Sequence, residues 1–212
     1  MLKKDAEDYK IESREKFDKQ AEKYDSGNKG KHARSLYESV LNKLDEYTFT
    51  NILDVGCGTG NLLKLISSKY DVQIAGVDLT PKMLNIAKIK LGDEADLKVS
   101  DSEELPFEDN KFDMVICTDS FHHYPHPEKV LAEIGRVLEN NGMLLIADPT
   151  VPAPLRQLVN LYFKLSRSGD VKIYSESDIC KLLEETGFVS LNYEHAGINA
   201  FIATAQIKKI KQ

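Results

Sequence analysis

The sequence predicts an α/β protein: a doubly wound, mostly parallel sheet of seven strands with helices on both faces, an antiparallel final strand and a helical arm ahead of the sheet. Three observations carry this. Short apolar runs alternate with helix-period segments from residue 51 to residue 147, and such alternation implies parallel strands joined by helical crossovers. A turn with alternating glycines, Gly56-Cys57-Gly58-Thr59-Gly60, follows the first apolar run directly. Strands near 188–194 and 198–206 close the chain as an antiparallel pair.

Taken in order, residues 5 to 24 are rich in Lys, Glu and Asp, and Phe17, Ala21 and Tyr24 fall on one face at helical spacing. A break at Ser26-Gly27-Asn28-Lys29-Gly30 precedes a second helix whose stripe is Leu36, Val40, Leu41 and Leu44. Ile52-Leu53-Asp54-Val55 is the first buried strand, Asn61 to Ser68 a helix, Val72 to Val77 the second strand, and 81–91 a helix. Strands near 96–100, 112–118 and 142–147 follow, with a helix over 127–138 between the last two. After Pro149 the regularity fails: Val151-Pro152-Ala153-Pro154 leads into Leu155 to Leu165, apolar on several sides, and a polar loop runs from Ser166 to Lys172. Ser175 is a good N-cap for a helix over Glu176 to Thr186, which Gly187 stops. The 212 residues divide into an arm or lid (1–48), a cofactor-binding core (51–148), an insertion on the substrate side (149–174) and a closing helix with two strands (175–206) of one domain.

Composition narrows the function. With 42% hydrophobic and 29% charged residues the chain is globular, and no apolar run approaches the roughly 20 residues that span a bilayer. Met1-Leu2-Lys3-Lys4 turns polar at once, unlike a secretory leader. Cys57, Cys117 and Cys180 are odd in number and widely separated, which fits neither a disulfide framework nor a metal knuckle. A cytoplasmic location and no metal are the expectation. The formal charge is −6, and the one basic cluster is the tail Lys208, Lys209 and Lys211, so no nucleic-acid footprint is expected.

The chemistry concentrates at strand ends. Glycines permit a tight strand-to-helix turn and let a ligand approach the backbone, where the helix's first N–H groups are free. A dinucleotide loop requires Gly-x-Gly-x-x-Gly, and here Asn61 follows Gly60. Asp78 ends the second strand, 18 residues after Gly60, where a carboxylate can accept from both ribose hydroxyls. Asp101 ends the third strand in Val99-Ser100-Asp101-Ser102, where a carboxylate can accept from an adenine amino group. Met83, one turn into the next helix, could cover an adenine face, although such a Met also reads as core. His122 and His123 sit where the fourth strand opens, as candidate bases or as packing and substrate contacts, and His126 reads as a loop residue.

Leu53-Asp54-Val55-Gly56-Cys57-Gly58-Thr59-Gly60 resembles motif I of the class I S-adenosylmethionine-dependent methyltransferases, which share a Rossmann-like sheet. Phe17-Asp18-Lys19-Gln20-Ala21-Glu22-Lys23-Tyr24-Asp25 resembles the arm of the ubiquinone/menaquinone-biosynthesis-like subgroup. Leu105-Pro106-Phe107-Glu108-Asp109, Lys111-Phe112-Asp113, Phe121-His122-His123-Tyr124 and Arg136-Val137-Leu138 resemble its central motifs, and the likeness runs from Phe17 to Ala205. The resemblance implies that Gly56, Gly58 and Gly60 hold the methionine part of S-adenosylmethionine, with Asp54 orienting it. It further implies Asp78 and Leu79 at the ribose, Asp101 and Ser102 at the adenine, Phe17 and Tyr24 closing over the cofactor, and the Asp119 backbone at the methyl-transfer mouth.

The expected activity is methyl transfer to a small-molecule acceptor, partly apolar to suit Leu155 to Leu165, by a monomer or homodimer that releases S-adenosylhomocysteine. The same apolar segment reads equally as a helix covering the sheet or a dimer face. Two other readings compete: an NAD-dependent oxidoreductase, opposed by Asn61 and by the Asp101 segment, and a protein that binds the cofactor without turnover. Asp119-Ser120-Phe121-His122 lacks the Pro-Pro pair of enzymes acting on base amines, leaving tRNA or protein as the alternative acceptor.

Overall fold

The computed structural model describes residues 4–27 and 30–209. Asn28 and Lys29 of the predicted break, Lys211 of the basic tail and the first three residues lie outside them. The helical arm comprises α1 (Ala6–Tyr24) and α2 (Lys31–Leu44). Asp5 caps α1 through a reciprocal pair with Asp8, which satisfies two of the otherwise orphaned N–H groups. Leu36, Val40 and Leu44 form the buried stripe of α2.

The sheet contains β1 (Asn51–Val55), β2 (Gln73–Asp78), β3 (Ala95–Val99), β4 (Phe112–Thr118), β5 (Leu138–Pro149), β6 (Phe188–His195) and β7 (Ala200–Ile207) in the order β3-β2-β1-β4-β5-β7-β6. Pairing is parallel from β3 through β5, and β7 runs antiparallel between β5 and β6. The crossovers are α3 (Asn61–Lys69), α4 (Pro81–Leu91) and α5 (Pro127–Val137), with α6 (Leu155–Phe163) and α7 (Glu176–Glu185) after β5. Alternate residues of the central strands feed two cores. Leu53, Val55, Val115 and Cys117 pack towards α5 and α7, while Ile52, Ile74, Met114 and Ile116 pack towards α2, α3 and α4. This is the double winding expected from the sequence.

Three local departures have physical causes. β5 begins at Leu138 rather than 142, because Leu138 pairs with Phe112 before a bulge, and Asn141 takes a left-handed φ of 66° ahead of Gly142. The apolar segment forms α6, but it covers no core: the helix has no buried residue. Lys209 is tied down rather than freely solvated, its Nζ donating to Asn110 Oδ1 at 2.7 Å and to the Arg136 carbonyl at 2.9 Å.

The reversal of strand order lies between β1 and β4, so the carboxyl ends of these two strands open a crevice. Arg136, in the last turn of α5, fastens the loop that leads into β4. Its guanidinium donates to the carbonyls of Leu105 and Phe107 at 2.8 Å each and also pairs with Asp109 and Glu133. The Leu105–Asp109 motif is therefore a loop clamped by the Arg136 motif.

Candidate functional site

The crevice holds two adjoining chambers of ≈ 570 and ≈ 550 Å³, counting space open to solvent, which is the size range of cofactor clefts. Leu79, Asp101 and Ser102 line the first; Tyr24, Asp54, Gly58, Met83 and Asp119 line the second; Phe17, Gly56 and Asp78 line both. Twelve residues were expected at the cofactor, and Gly60 alone stands off the walls. It takes a left-handed φ of 74° at the N-cap of α3, where a Cβ would meet Ala87 and Leu91 of α4 at 3.0 Å. Its missing Cβ permits close packing of the turn on α4.

Gly56 has the strictest requirement: φ is 83°, and a Cβ would come within 2.0 Å of Ser120 Oγ. The turn also sets out its amides. Asp78 accepts the Gly58 N–H at 2.9 Å and the Thr80 N–H at 2.8 Å, which fixes its carboxylate across the chamber. Burial raises the Asp78 carboxyl, and those two N–H bonds pull it back. Asp54 differs. It is 2% exposed, its Oδ1 has no hydrogen-bond partner, and burial with the nearby Asp78 charge pushes its carboxyl up to about 8. A buried carboxyl left without a donor is costly, and it is complementary to a ligand that brings an ammonium or hydroxyl.

Several contacts fasten the arm over this crevice. Asp25, just past α1, accepts from Thr59 Oγ1 and Asn61 Nδ2 at 2.7 Å and pairs with Lys90 at 2.6 Å, so the arm grips the glycine turn and α4 together. Burial works against the Asp25 charge, and the Lys90, Thr59 and Asn61 bonds overcome it to hold the carboxyl below its usual range. Phe17 sets its ring edge-to-face on His123 at 5.2 Å. Lys10 reaches Asp101 at 2.6 Å and Glu103 at 2.8 Å. Sequence reasoning named Phe17 and Tyr24 but missed Lys10, and it quoted Asp25 without a role, since neither an exposed helical Lys nor a motif Asp signals a long-range partner.

A third chamber, ≈ 860 Å³ with its open mouth, adjoins the second through Phe17, Tyr24, Asp119 and His123. Its other walls include Lys16, His32, His122, Phe163 and Ile173. Asp119 is held in the left-handed region, φ 54°, at the end of β4; its side chain accepts from His32 Nδ1 at 2.6 Å. Among the described residues Nε2 of His32 has no partner. The Asp119 hydrogen bond raises the His32 pKa against the opposing effect of burial, and the Asp148 charge adds to the rise while His122 opposes it.

His122 and His123 are both buried. His122 Nδ1 lies 3.0 Å from Asp148 Oδ1. Burial alone would lower the His122 pKa, but the Asp148, Asp119 and Asp170 carboxylates raise it to about 9. His123 donates from Nδ1 to the Gly169 carbonyl at 2.9 Å, and burial together with the His122 charge lowers it to about 3. The two rings lie side by side, tilted by 41° with 4.1 Å between centroids, so a charge on His122 works against one on His123. His126 is the N-cap residue of α5 and contacts Glu103. His32, Asp148 and Asp170 went unnamed in the sequence because each becomes informative only when distant segments meet.

Residues 53–146 match the family model described as a methyltransferase domain. The chain is 34% identical over 122 residues to the ubiquinone/menaquinone biosynthesis C-methyltransferase UbiE of Citrifermentans bemidjiense, covering 53% of this chain and 52% of that protein. It is 32% identical over 154 residues to the demethylmenaquinone methyltransferase of Thermotoga maritima, covering 69% of this chain and 65% of that protein. The chain thus spans less than two thirds of either relative. In fold it is similar to the Haemonchus contortus phosphoethanolamine N-methyltransferase 2 solved with phosphomonomethylethanolamine and S-adenosylhomocysteine, with a TM-score of 0.68 at 19% identity, over 82% of this chain and 52% of that one.

Proposed function

We propose that this chain is a class I S-adenosylmethionine-dependent methyltransferase of the ubiquinone/menaquinone-biosynthesis-like subgroup, as its similarities support, and that it methylates a partly apolar, hydroxylated small molecule of the quinol type. The observation that carries the cofactor reading is the row of three carboxylates around one glycine turn, with Asp54 Oδ1 buried and unpaired. Asp54 and the Gly56–Gly58 amides receive the amino-acid end of S-adenosylmethionine, Asp78 the ribose hydroxyls beside Leu79, and Asp101 with Ser102 the adenine, against Met83. Phe17 and Tyr24 close the arm over it. The bound cofactor supplies a sulfonium-activated methyl group, already a strong electrophile.

This chain's residues then align the acceptor, exclude water and take a proton. The third chamber is the acceptor side, with Phe163 and Ile173 offering apolar contact. His32 is the base: Asp119 fixes its Nδ1–H tautomer, so the Nε2 lone pair is left for the acceptor hydroxyl. His122 is already protonated at neutral pH and His123 is too weak a base, so both are positioned to shape and polarise the chamber. The insertion (149–174) serves the acceptor and the arm (1–48) the cofactor, within one domain.

The quinol class is supported by the relatives' names and by the mixed apolar and histidine lining. Cytoplasmic location belongs to the same reading, and no described helix is long and apolar enough to cross a membrane. The test is transfer of labelled methyl from S-adenosylmethionine to a panel of hydroquinones, amines, tRNA and protein. Labelling of hydroquinones supports the proposal, whereas labelling of tRNA or protein alone overturns it.

A further inference from the structure

Helix α6 turns a strongly apolar side outward. Leu155, Leu158, Leu161 and Tyr162 on the helix, with Leu165 two residues past its end, are 53%, 63%, 57%, 62% and 59% exposed. These are five of the eleven large apolar side chains exposed among the described residues, gathered within eleven positions of the chain. Such concentration marks an interaction surface, since exposed apolar residues are ordinarily scattered. The helix is nonetheless anchored from its inner side: Asn160 donates to the Ile173 carbonyl at 3.0 Å and accepts the Ile173 N–H at 2.7 Å. The outward stripe is therefore presented by a fixed helix.

Charge selects the occupant. The chain carries 34 acidic and 28 basic residues, yet from Val151 to Gly169 every charged side chain is basic: Arg156, Lys164 and Arg167. Among the described residues none of the three forms a salt bridge, although Arg167 shares a shallow hollow with Glu12 and Glu15 of α1, and Arg156 donates to the Val151 carbonyl at 3.1 Å and shares a hollow with Glu176. A second copy would bring the same cations against themselves. An apolar stripe flanked by cations that form no salt bridge is instead the pattern of a helix that lies in the interfacial plane of an anionic bilayer.

We propose that the outer face of α6 docks the protein on an anionic lipid surface. Leucines and Tyr162 enter the headgroup boundary while Arg156, Lys164 and Arg167 meet lipid phosphates. Phe163, on the same helix, lines the acceptor chamber, so docking sets the chamber's mouth at the bilayer, where a partly apolar acceptor is dissolved. That last step rests on the methyltransferase reading; the docking itself does not.

Cosedimentation of the full chain with vesicles tests the docking without turnover. The protein is expected to pellet with equal parts phosphatidylcholine and phosphatidylglycerol, to stay in solution with phosphatidylcholine alone, and to be released by salt. Leu158→Asp with Leu161→Asp is expected to weaken partition about tenfold or more, and Arg156→Glu, Lys164→Glu and Arg167→Glu together by about a hundredfold. Neither set touches a buried residue, and S-adenosylhomocysteine titration of each variant reports separately on folding and on the cofactor reading. Absence of pelleting with the anionic vesicles would overturn the proposal, as would unchanged partition of the leucine variant. A solution dimer that Leu158→Asp and Leu161→Asp dissociate would assign the face to a second copy instead.

Discussion

Replacing Asp148 by Asn removes an anion from the centre of the histidine cluster while keeping an oxygen that can accept from His122 Nδ1. His122 is raised from 6.5 to about 9 in the folded chain, so folding is favoured by its extra proton. A raised base contributes stability fully present below pH 6.5 and lost as pH rises through about 9. The difference, at about 1.4 kcal/mol per pKa unit, comes to about 3 kcal/mol, a large part of a typical folding free energy. In Asp148→Asn the dominant opposing effect, burial, is left to act, and His122 folds neutral. Urea unfolding at several pH values from 6 to 9.5 reads the slope directly. The raised Asp54 carboxyl makes both proteins lose stability over part of this window, so the wild type is expected to lose about 3 kcal/mol more than the variant. An equal slope in both proteins would refute the assignment of an Asp148-stabilised imidazolium, whatever their absolute stabilities.

Three further outcomes follow from the site. His32→Asn is expected to lower kcat about a hundredfold with S-adenosylhomocysteine affinity unchanged, and to abolish a limb on which wild-type kcat rises as pH passes the raised His32 pKa. Equal kcat in both would exclude His32 as the base. Gly56→Ala combines a left-handed residue with the Ser120 overlap, a cost of about 2–5 kcal/mol that calorimetry would register as a melting point lower by about 10 °C. Gly58→Ala has no atom within 4 Å of its Cβ and should cost only the backbone strain, about 1 kcal/mol. Comparable melting points for the two variants would contradict the packing account. Lys10→Ala should loosen the arm at its Asp101 latch and speed proteolysis within α1, which a limited trypsin digest would show; an unchanged digest would mean the latch carries no closure energy.

The parallel core was legible because its signals are local: apolar runs of strand length, glycines at a turn, an Asp at a strand's end. Asp78, Leu79, Asp101 and Ser102 line one chamber, each at or just past a strand's end. What the sequence hid depends on long-range meeting. Nothing near His32 announces Asp119, and the Phe121-His122-His123-Tyr124 motif does not disclose that one imidazole is charged by Asp148 while its neighbour is kept neutral. Gly60 matches a binding pattern and also packs closely on α4, since packing and ligand approach ask for the same missing Cβ. Likewise the Leu155 to Leu165 run reads the same whether its leucines face a core, a pocket or a partner; only the fold shows them facing out.

The most direct test of the cofactor assignment is calorimetric titration of the purified chain with S-adenosylhomocysteine and, separately, NADH, repeated on Asp78→Ala and Asp101→Ala. Micromolar binding of S-adenosylhomocysteine alone, weakened about tenfold or more by each substitution, is the predicted result. Binding of NADH in its place would contradict the account.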